Sequence, residues 1–239
     1  MVITSSSNEK IKYLIKLNQK KYRDKTFLVE GKHLVEESYK KGLIKQLILL
    51  ETTTSNFDVE TLYVTNQIMQ KISNTINPPQ MMAEVYKKDN IITGNKIIML
   101  DDIADPGNLG TIIRSAVAFN FDTVILSKNT VDLYNPKTIR ATEGMLFNIN
   151  IVTSDLEDTI LNLKKNGFKI LGTKVTKGKD IKNYLKTDKI ALIIGSEAKG
   201  MSKQLENLCD ENIYIKMNEK CESLNAGVSA SILMYELNQ

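Results

Sequence analysis

The segment DPGNLGTIIR, from Asp105 to Arg114, combines an acid, a Pro-Gly turn, an amide and a guanidinium within ten residues. The Pro-Gly pair is typical of a tight turn, and either Asp105 or Asn108 suits the N-cap of a helix that begins near residue 109. Arg114 lies about one and a half turns into that helix among apolar residues, where a guanidinium needs an acidic or phosphate partner. The alternatives for Arg114 are extension into solvent or an ion pair with Asp102.

A second segment, KIALIIGSEAKGMS, resembles a phosphate-binding loop but lacks its chemistry. An apolar strand is followed by Gly195 and Gly200, yet a Walker motif requires Lys and then Ser or Thr after the second glycine, and here Met201 and Ser202 follow. The G-x-G-x-x-G fingerprint is also absent, which argues against nucleoside triphosphates and ordinary dinucleotide cofactors. Gly195 is either a turn glycine or a point of close backbone approach to a ligand, with Glu197 beside it.

A third segment, IYIKMNEKCESLNAGVSASILMYEL, predicts a strand over 213–217, a polar loop and a helix rich in small residues. Small residues allow that helix to pack closely against other backbone. Ser223 and Asn225 both suit its N-cap, so each has a structural explanation as well as a functional one.

These segments belong to a C-terminal part in which the apolar strands KIIMLDD, DTVILS, FKILGT and KIALIIG alternate with helical stretches at 109–120, 155–166 and 202–208. Buried strands separated by helices predict an α/β fold with a parallel sheet covered on both faces. Ligands of such sheets bind at the carboxyl ends of the strands. The corresponding loops follow Leu100, Leu171, Ile194 and Ile215.

The N-terminal part predicts a smaller α/β unit. Ser6 and Glu9 have the spacing of a capping box at the start of a basic amphipathic helix. TFLVEGKHLVEESYKKGLIKQLILLE then indicates strand, helix and strand, TLYVTNQIMQKIS strand and helix, and MMAEVYK a last strand. We therefore expect two domains, 1–88 and 96–239, joined by a polar linker.

Positive and negative charges are nearly balanced over the whole chain, but the basic residues are concentrated at the N-terminal end. The chain of 239 residues carries a net charge of +4, too little for a histone-like binder. Within the first 25 residues, however, the basic side chains outnumber Glu9 and Asp24. They are Lys10, Lys12, Lys16, Lys20, Lys21, Arg23 and Lys25. The N-terminal helix is either a polyanion-binding face or a solvated one.

The rest of the composition indicates the environment. Two cysteines, Cys209 and Cys221, are too few and too far apart for a disulfide scaffold or a C-x-x-C motif, which suggests a reducing cytoplasm. No apolar run approaches the length of about 18 residues that a membrane span needs. We expect no membrane association and no metal.

Together and in this order, the three segments resemble the motifs of the SPOUT superfamily, specifically the SpoU-like (TrmH-type) RNA ribose 2′-O-methyltransferases. The first motif is LDDIADPGNLGTIIRSAVAFNF, the second LIIGSEAKGMS and the third IYIKMNEKCESLNAGVSASI. Residues 26–85, with FLVEGKHLVEES, resemble the substrate-binding domain that precedes the catalytic domain in many rRNA-modifying members. The resemblance covers nearly the whole chain.

The resemblance implies methyl transfer from S-adenosyl-L-methionine (AdoMet) to a ribose 2′-hydroxyl. It implies an α/β fold in which a small RNA-binding domain precedes a parallel-sheet SPOUT domain with a deep trefoil knot, an exception to unknotted topology. It also implies a homodimer with active sites at the subunit interface.

The family's functional positions map onto this chain. AdoMet-binding positions correspond to Thr173, Gly195, Ile215, Met217, Ser223 and Leu224. Positions attributed to substrate and catalysis correspond to Asn108, Arg114, Glu197, Ser223 and Asn225. Arg140, in the family-like segment DLYNPKTIRATEGMLF, is a candidate for binding RNA phosphate, and Arg23 in the basic N-terminus is another. The third motif departs from the family pattern at Lys216, where Pro is usual, and at the pair 226–227.

A ribose hydroxyl is a poor nucleophile, so transfer needs alignment and removal of a proton. The single histidine, His33, falls in the N-terminal domain and is not expected to be the base. We expect Arg114 to stabilise the developing alkoxide and bind phosphate while the proton leaves through a phosphate oxygen or water; the alternative makes Arg114 the base, although arginine ordinarily stays charged.

Two other functions stay open at the level of sequence. One is a catalytically silent RNA-binding or ribosome-assembly factor, which Lys216 favours. The other is a tRNA ribose methyltransferase, but minimal tRNA members often lack the preceding domain, and its presence favours large-subunit rRNA over tRNA.

Overall fold

The computed structural model describes residues 2–73, 75–175, 178–185 and 187–238. Contacts divide the chain into two compact units. We call residues 1–89 together with 132–147 the N-terminal unit, and residues 90–131 together with 148–239 the C-terminal unit.

The elements are given in chain order. The strands are β1 (Val2–Ile3), β2 (Thr26–Glu30), β3 (Ile44–Leu50), β4 (Thr61–Val64), β5 (Met81–Tyr86), β6 (Lys96–Leu100), β7 (Thr123–Leu126), β8 (Asn150–Thr153), β9 (Lys169–Thr173), β10 (Lys179–Asp180), β11 (Ile190–Ile194) and β12 (Glu211–Tyr214). The α-helices are α1 (Glu9–Lys16), α2 (Lys32–Lys40), α3 (Asn66–Ser73), α4 (Pro106–Ala118), α5 (Pro136–Ala141), α6 (Leu156–Lys165), α7 (Lys203–Leu208) and α8 (Ala226–Asn238).

The N-terminal unit is built on a mixed five-stranded sheet in the order β1-β4-β3-β5-β2. Strand β5 runs antiparallel to both β2 and β3, while β3 and β4 are parallel. Helices α1 and α3 bury Ile11, Leu14 and Ile68 against sheet residues such as Ile48 and Met82. The predicted small α/β unit is therefore confirmed, although β1 is too short to be recognised from its two residues.

The start of helix α1 differs from the prediction. The side chain of Asn8 accepts a hydrogen bond from the backbone N–H of Lys10 at 2.9 Å, so Asn8 is the N-cap. The capping box expected at Ser6 is wrong because the helix begins later; the Ser6 hydroxyl instead accepts a hydrogen bond from Lys71.

Residues 132–147 form part of the N-terminal unit. The ring of Tyr134 packs on Phe27 with centroids 4.6 Å apart, and the ring of Phe147 lies 6.3 Å from the same side chain. The sequence predicts a single boundary, between residues 88 and 96, whereas the contacts assign this second segment to the N-terminal unit as well. Helix α5, which the sequence does not predict, carries Arg140 within it.

The C-terminal unit is a seven-stranded parallel sheet in the order β10-β12-β9-β11-β6-β7-β8. Helices α6 and α7 cover one face, where Ile97 and Met99 of β6 join a buried apolar cluster. Because side chains alternate along a strand, Ile98 and Leu100 point to the opposite face, and both are fully buried there too. The predicted parallel sheet, covered on both faces, is confirmed.

The topology places a switch point at the centre of this sheet. The chain proceeds from β6 outward to β7 and β8, then crosses to β9, β11 and β12 on the other side of β6. Crevices form at the carboxyl ends of strands where the order reverses in this way. None of the helices in the described ranges combines the length and apolar character needed to cross a membrane.

Candidate active site

A cavity of about 660 Å³ opens where β9, β11 and β12 end. Its walls are the loops that follow these three strands and the first turns of α8. All six positions carried over for AdoMet line it: Thr173, Gly195, Ile215, Met217, Ser223 and Leu224. The structure thus brings together residues that are as much as about fifty positions apart in the chain, at the edge of the sheet that the sequence predicts.

The third motif ends its strand earlier than predicted. Strand β12 stops at Tyr214, so Ile215 and Met217 reach the cavity from a loop. The side chain of Lys216, between them, is exposed and does not line the cavity. The departure from the family pattern at this position therefore does not place a lysine side chain in the cavity wall.

Gly195 is required by the fold of its own loop. A Cβ atom here would lie 2.1 Å from the backbone nitrogen of Met201 and 2.2 Å from the carbonyl carbon of Gly200. The loop turns back on itself through two hydrogen bonds between Ser196 and Gly200, of 3.1 and 2.9 Å, and Gly200 has a φ of +68°. Of the two explanations open at the level of sequence, the turn is the one whose contacts are observed.

The acid and the amide of the first motif have separate roles. Asp105 is the N-cap of α4, and its carboxylate accepts a hydrogen bond from the backbone N–H of Asn108 at 2.8 Å. The side chain of Asn108 is buried and donates through Nδ2 to Oε1 of Glu197 at 2.8 Å. This contact joins the first motif to the second.

Glu197 is held as a carboxylate. Burial raises the pKa of Glu197, but hydrogen bonds from Asn108 and from the backbone N–H groups of Glu197, Ala104 and Asp105 outweigh it, and the net pKa is lowered. Because Glu197 also lines the cavity, its negative charge faces the same space as the AdoMet positions.

Arg114 lies apart from the cavity residues and from the contact between Asn108 and Glu197. Its side chain is exposed, lies outside the cavity lining, and makes no hydrogen bond or ion pair with any residue that the structure describes. Asp102, its alternative partner, instead accepts hydrogen bonds from Ser127 at 2.6 Å and Asn129 at 3.2 Å. The guanidinium therefore remains available to a group from outside the described chain.

Asn225 and Ser223 lie together at the start of α8. The Asn225 side chain accepts a hydrogen bond from the backbone N–H of Val228 at 3.2 Å, so the capping explanation holds for Asn225 while the residue also lines the cavity. Ser223 lines the cavity without capping; its carbonyl accepts a hydrogen bond from the thiol of Cys221 at 3.3 Å.

Small residues of α8 pack directly on α4; the sequence predicts close packing of this helix but does not identify its partner. A Cβ atom on Gly227 would lie 3.2 Å from the side chain of Thr111, and the hydroxyls of Ser115 and Ser231 are 2.7 Å apart. The helix that begins at the cavity is thereby fixed to the helix that carries Asn108.

The two residues predicted to bind RNA phosphate, Arg23 and Arg140, both lie in the N-terminal unit, but in different environments. Arg23 is only 7% exposed and forms an ion pair with Asp132, so a direct contact with RNA does not fit its position. The sequence misses this because Arg23 follows a run of exposed lysines. Arg140 is half-exposed and lies 3.3 Å from Glu30.

The sequence does not single out three charged residues that also line the cavity, namely Lys174, Lys199 and Glu222. Lys174 and Glu222 are adjacent to the predicted positions Thr173 and Ser223, and Lys199 lies two residues after Glu197, which is the only signal the sequence offers. In the described ranges, no cluster of His, Cys, Asp and Glu side chains is arranged to hold a metal ion.

Comparison with known proteins identifies both parts of the chain. Residues 95–235 match the model of the SpoU rRNA Methylase family, and residues 8–83 match the MRM3-like substrate binding domain. The chain is 36% identical over 243 residues to the 23S rRNA (guanosine(2553)-2′-O)-methyltransferase RlmP of Bacillus subtilis, covering 98% of each. It is 32% identical over 220 residues to a putative TrmH family tRNA/rRNA methyltransferase of Staphylococcus aureus (strain COL), covering 87% of each.

A solved structure gives the same result. The AdoMet-bound rRNA methyltransferase from Sinorhizobium meliloti superposes with a TM-score of 0.88 at 28% identity, over 99% of this chain and 97% of that one. The family resemblance deduced from the three motifs is thereby confirmed. The chain belongs to the SpoU rRNA methylase family and is an AdoMet-dependent RNA methyltransferase.

Proposed function

We propose that this protein transfers the methyl group of AdoMet to a ribose 2′-hydroxyl of large-subunit, 23S-type rRNA. One observation carries the proposal: the cavity at the strand ends is lined by the second and third motifs, and Glu197 ties it to Asn108 of the first motif. The B. subtilis relative, which modifies guanosine 2553 of 23S rRNA by name, supports the choice of substrate.

The cavity suits AdoMet in size and charge. Its volume of about 660 Å³ lies within the range of about 300–1,000 Å³ that small-molecule sites occupy. The loops at Gly195, Ile215 and Leu224 offer backbone groups for the neutral parts of the molecule, and the carboxylates of Glu197 and Glu222 complement its sulfonium and ammonium charges. When bound, AdoMet supplies an electrophilic methyl group.

Asn108 and Glu197 orient the substrate hydroxyl in this proposal. Because Nδ2 of Asn108 donates to the ionised Glu197, its Oδ1 is the atom left to accept a hydrogen bond from a ribose hydroxyl. The lowered pKa of Glu197 makes it a weak base, so its role is to fix the amide. Ser223 and Asn225, which line the same cavity, provide further polar contacts to the nucleotide.

Arg114 provides the electrostatic part of catalysis. Its exposed guanidinium has no described partner in its own chain and presents fixed donors to phosphate and to the alkoxide that develops on the ribose. The proton leaves through a phosphate oxygen or water. An arginine acting as base would need to lose its charge, which ordinarily does not happen in proteins.

The protein works as a homodimer in this proposal. Arg114 does not line the cavity of its own chain, which supports an active site completed by a second copy. Val228 and Tyr235 of α8 are 46% and 50% exposed, and they give this helix an apolar outer side that a second copy would cover. Light scattering that finds only monomers at working concentrations would contradict the dimer.

Two further features follow from the family. We place the C-terminal segment in a deep trefoil knot, supported by the position of β12 between β9 and the earlier β10. We place the protein in the cytoplasm, where the free thiols of Cys209 and Cys221 stay reduced and rRNA is accessible.

The alternatives receive less support. The feature that favoured a catalytically silent factor, Lys216, lies off the cavity wall. The domain that argues against a minimal tRNA enzyme matches the MRM3-like substrate binding domain over residues 8–83.

Two measurements test the proposal. Calorimetry should detect AdoMet binding near 1:1 per chain, and mapping of 2′-O-methyl groups in rRNA and tRNA, with and without the protein, should reveal a site in 23S-type rRNA. A folded protein that binds no AdoMet leaves only the silent factor, and a modified nucleotide found only in tRNA would replace the substrate.

A further inference from the structure

We infer that Arg23 is a positioning residue for RNA: it ties the basic end of helix α1 to the segment 132–147, so that two basic stretches of the N-terminal unit grip RNA as one surface. The inference rests on the proposed function, because it takes RNA to be the ligand. It assigns Arg23 a role through other residues, since the side chain itself is buried.

The guanidinium of Arg23 bridges two parts of the chain that are far apart in sequence. Nη1 donates to the carbonyls of Leu17 and Asn18, each at 3.3 Å, at the end of α1. Nη2 pairs with the carboxylate of Asp132, at the beginning of the segment 132–147. One side chain thus donates hydrogen bonds to carbonyl groups at the end of a helix and also anchors a segment that begins 109 residues later in the chain.

This ion pair is well shielded from solvent. The side chains of Arg23 and Asp132 are 6% and 18% exposed, so the pair is screened much less by salt than a surface pair. Nε of Arg23 is buried and has no hydrogen-bond partner among the described residues. The buried guanidinium depends on Asp132 for its stability, because removing one member of a buried ion pair leaves the other member as an unpaired buried charge.

The stretch on the α1 side has the features of a nucleic-acid surface. Lys16, Lys20 and Lys21 are exposed and make no ion pair among the described residues. Tyr22 is 40% exposed, and the ammonium groups of Lys16 and Lys21 lie 5.7 and 4.9 Å from its ring centroid. An aromatic ring between lysines offers stacking to a base and charge to the flanking phosphates.

The second basic stretch is helix α5, within the segment 132–147. Lys137 and Arg140 project from it, both exposed, and Arg140 forms an ion pair with Glu30. Arg23 and Arg140 also line one shallow cleft with Asn18 and Tyr134, so the anchor and the exposed cation are neighbours. A shift of the segment at Asp132 would carry Lys137 and Arg140 away from Lys16, Lys20 and Lys21.

The test compares the full-length Arg23→Lys variant with wild type by fluorescence anisotropy on a transcript of the 23S rRNA region around nucleotide 2553. Lysine keeps the charge but loses the fork that reaches both carbonyls and Asp132. We expect RNA affinity to fall at least as far as in a Lys137→Ala/Arg140→Ala double variant. The slope of log affinity against log salt should flatten by about 0.7–0.9 for each phosphate that the variant no longer neutralises.

Non-additivity separates positioning from a merely structural role. In the Arg23→Lys background, Arg140→Ala should have little further effect, because Arg140 no longer reaches the RNA there; fully additive losses would overturn the inference. Asp132→Asn, which breaks the same pair from the other side, should reproduce the flattened slope. Should Arg23→Lys fail to fold, Asp132→Asn combined with Arg140→Ala provides the same test.

Ile72→Val is the matched control, because it removes a buried methyl from the core of the same unit and leaves both Arg23 and Asp132 in place. It should lower the melting temperature and leave RNA affinity and the salt slope unchanged. AdoMet binding should be unchanged in every variant. If wild type binds neither AdoMet nor RNA, the proposed function fails; if wild type binds both and Arg23→Lys binds RNA with the wild-type slope, only the role of Arg23 is refuted.

Discussion

Arg114 and Glu197 are single residues whose environments differ sharply. The guanidinium of Arg114 is exposed and makes no ion pair within the described part of the chain, whereas the carboxylate of Glu197 is held by Asn108 and by backbone N–H groups. A group left without partners is free to meet substrate, and a group with several partners is fixed to orient it. Substitution of each therefore tests a different property.

Replacing Arg114 should separate binding from chemistry. Arg114→Ala should abolish methyl transfer while AdoMet binding persists, because Arg114 does not line the cavity. Arg114→Lys should restore little, with a loss of about 10²-fold or more in kcat, since lysine keeps the charge but not the planar fork. Single-turnover methylation together with calorimetry measures both.

The Arg114→Lys variant also tests the alternative mechanism. If proton removal by this side chain limits the rate, lysine should retain activity that rises with pH. Near-normal turnover of Arg114→Ala would show that Arg114 takes no part in catalysis.

Glu197 should give the folded protein a specific pH dependence. Its folded pKa lies below the ordinary value of 4.5, so its contribution to stability is present above that value and is lost as pH falls through the folded pKa. Melting temperatures of wild type and Glu197→Gln should therefore converge as pH is lowered below about 4.5. A difference that stays constant across this range would contradict the hydrogen-bonded carboxylate.

At the scale of elements, the loop after β11 depends on one glycine. Gly195→Ala would place a Cβ against the backbone of Gly200 and Met201, and backbone atoms cannot move aside as a flexible side chain can. We expect a loss of at least about 2 kcal/mol in unfolding free energy and a loss of AdoMet affinity. Lys199→Ala in the same loop, where the side chain is exposed, should leave the melting temperature near that of wild type. If the two variants lower the melting temperature equally, the close backbone contact of Gly195 with Gly200 and Met201 is not important for stability.

The sequence predicts elements well where their apolar runs are continuous, as in β6, β7, β9 and β11. It overextends β12, because Ile215 and Met217 continue the apolar alternation although they leave the strand to line the cavity. It also misses β10, whose two polar residues are a strand only by pairing with β12. Pairing of this kind depends on the fold and has no local signal.

The candidate site shows the same limit. Asp105 and Asn108 are equivalent as helix caps in the sequence, and only the position of Glu197 after a distant strand distinguishes them. Arg23 is indistinguishable from its lysine neighbours until Asp132 is placed beside it. Contacts between segments about a hundred residues apart require the folded chain.

At the scale of the whole molecule, the units interleave in sequence, because the segment 132–147 belongs to the N-terminal unit although it lies between β7 and β8. The cavity, in contrast, is formed entirely by residues of the C-terminal unit. Removing residues 1–88 should therefore leave AdoMet binding intact, while it changes RNA affinity and the burial of the segment 132–147.

A protein lacking residues 1–88 should still bind AdoMet but lose most RNA affinity and its steep salt dependence, because the lysines of α1 are gone. It should also bind a hydrophobic dye and aggregate, since Ile139, Leu146 and Phe147, at most 7% exposed in the full chain, lose the side chains of the N-terminal unit that bury them. Replacing 132–147 with a short Gly/Ser linker in the truncated protein should reduce dye binding and restore solubility without changing AdoMet affinity. Calorimetry and dye fluorescence on the two truncated proteins measure this difference. Equal dye binding by the two would show that the segment does not depend on residues 1–88 for its burial. Unchanged RNA affinity after truncation would contradict the assignment of RNA binding to the N-terminal unit.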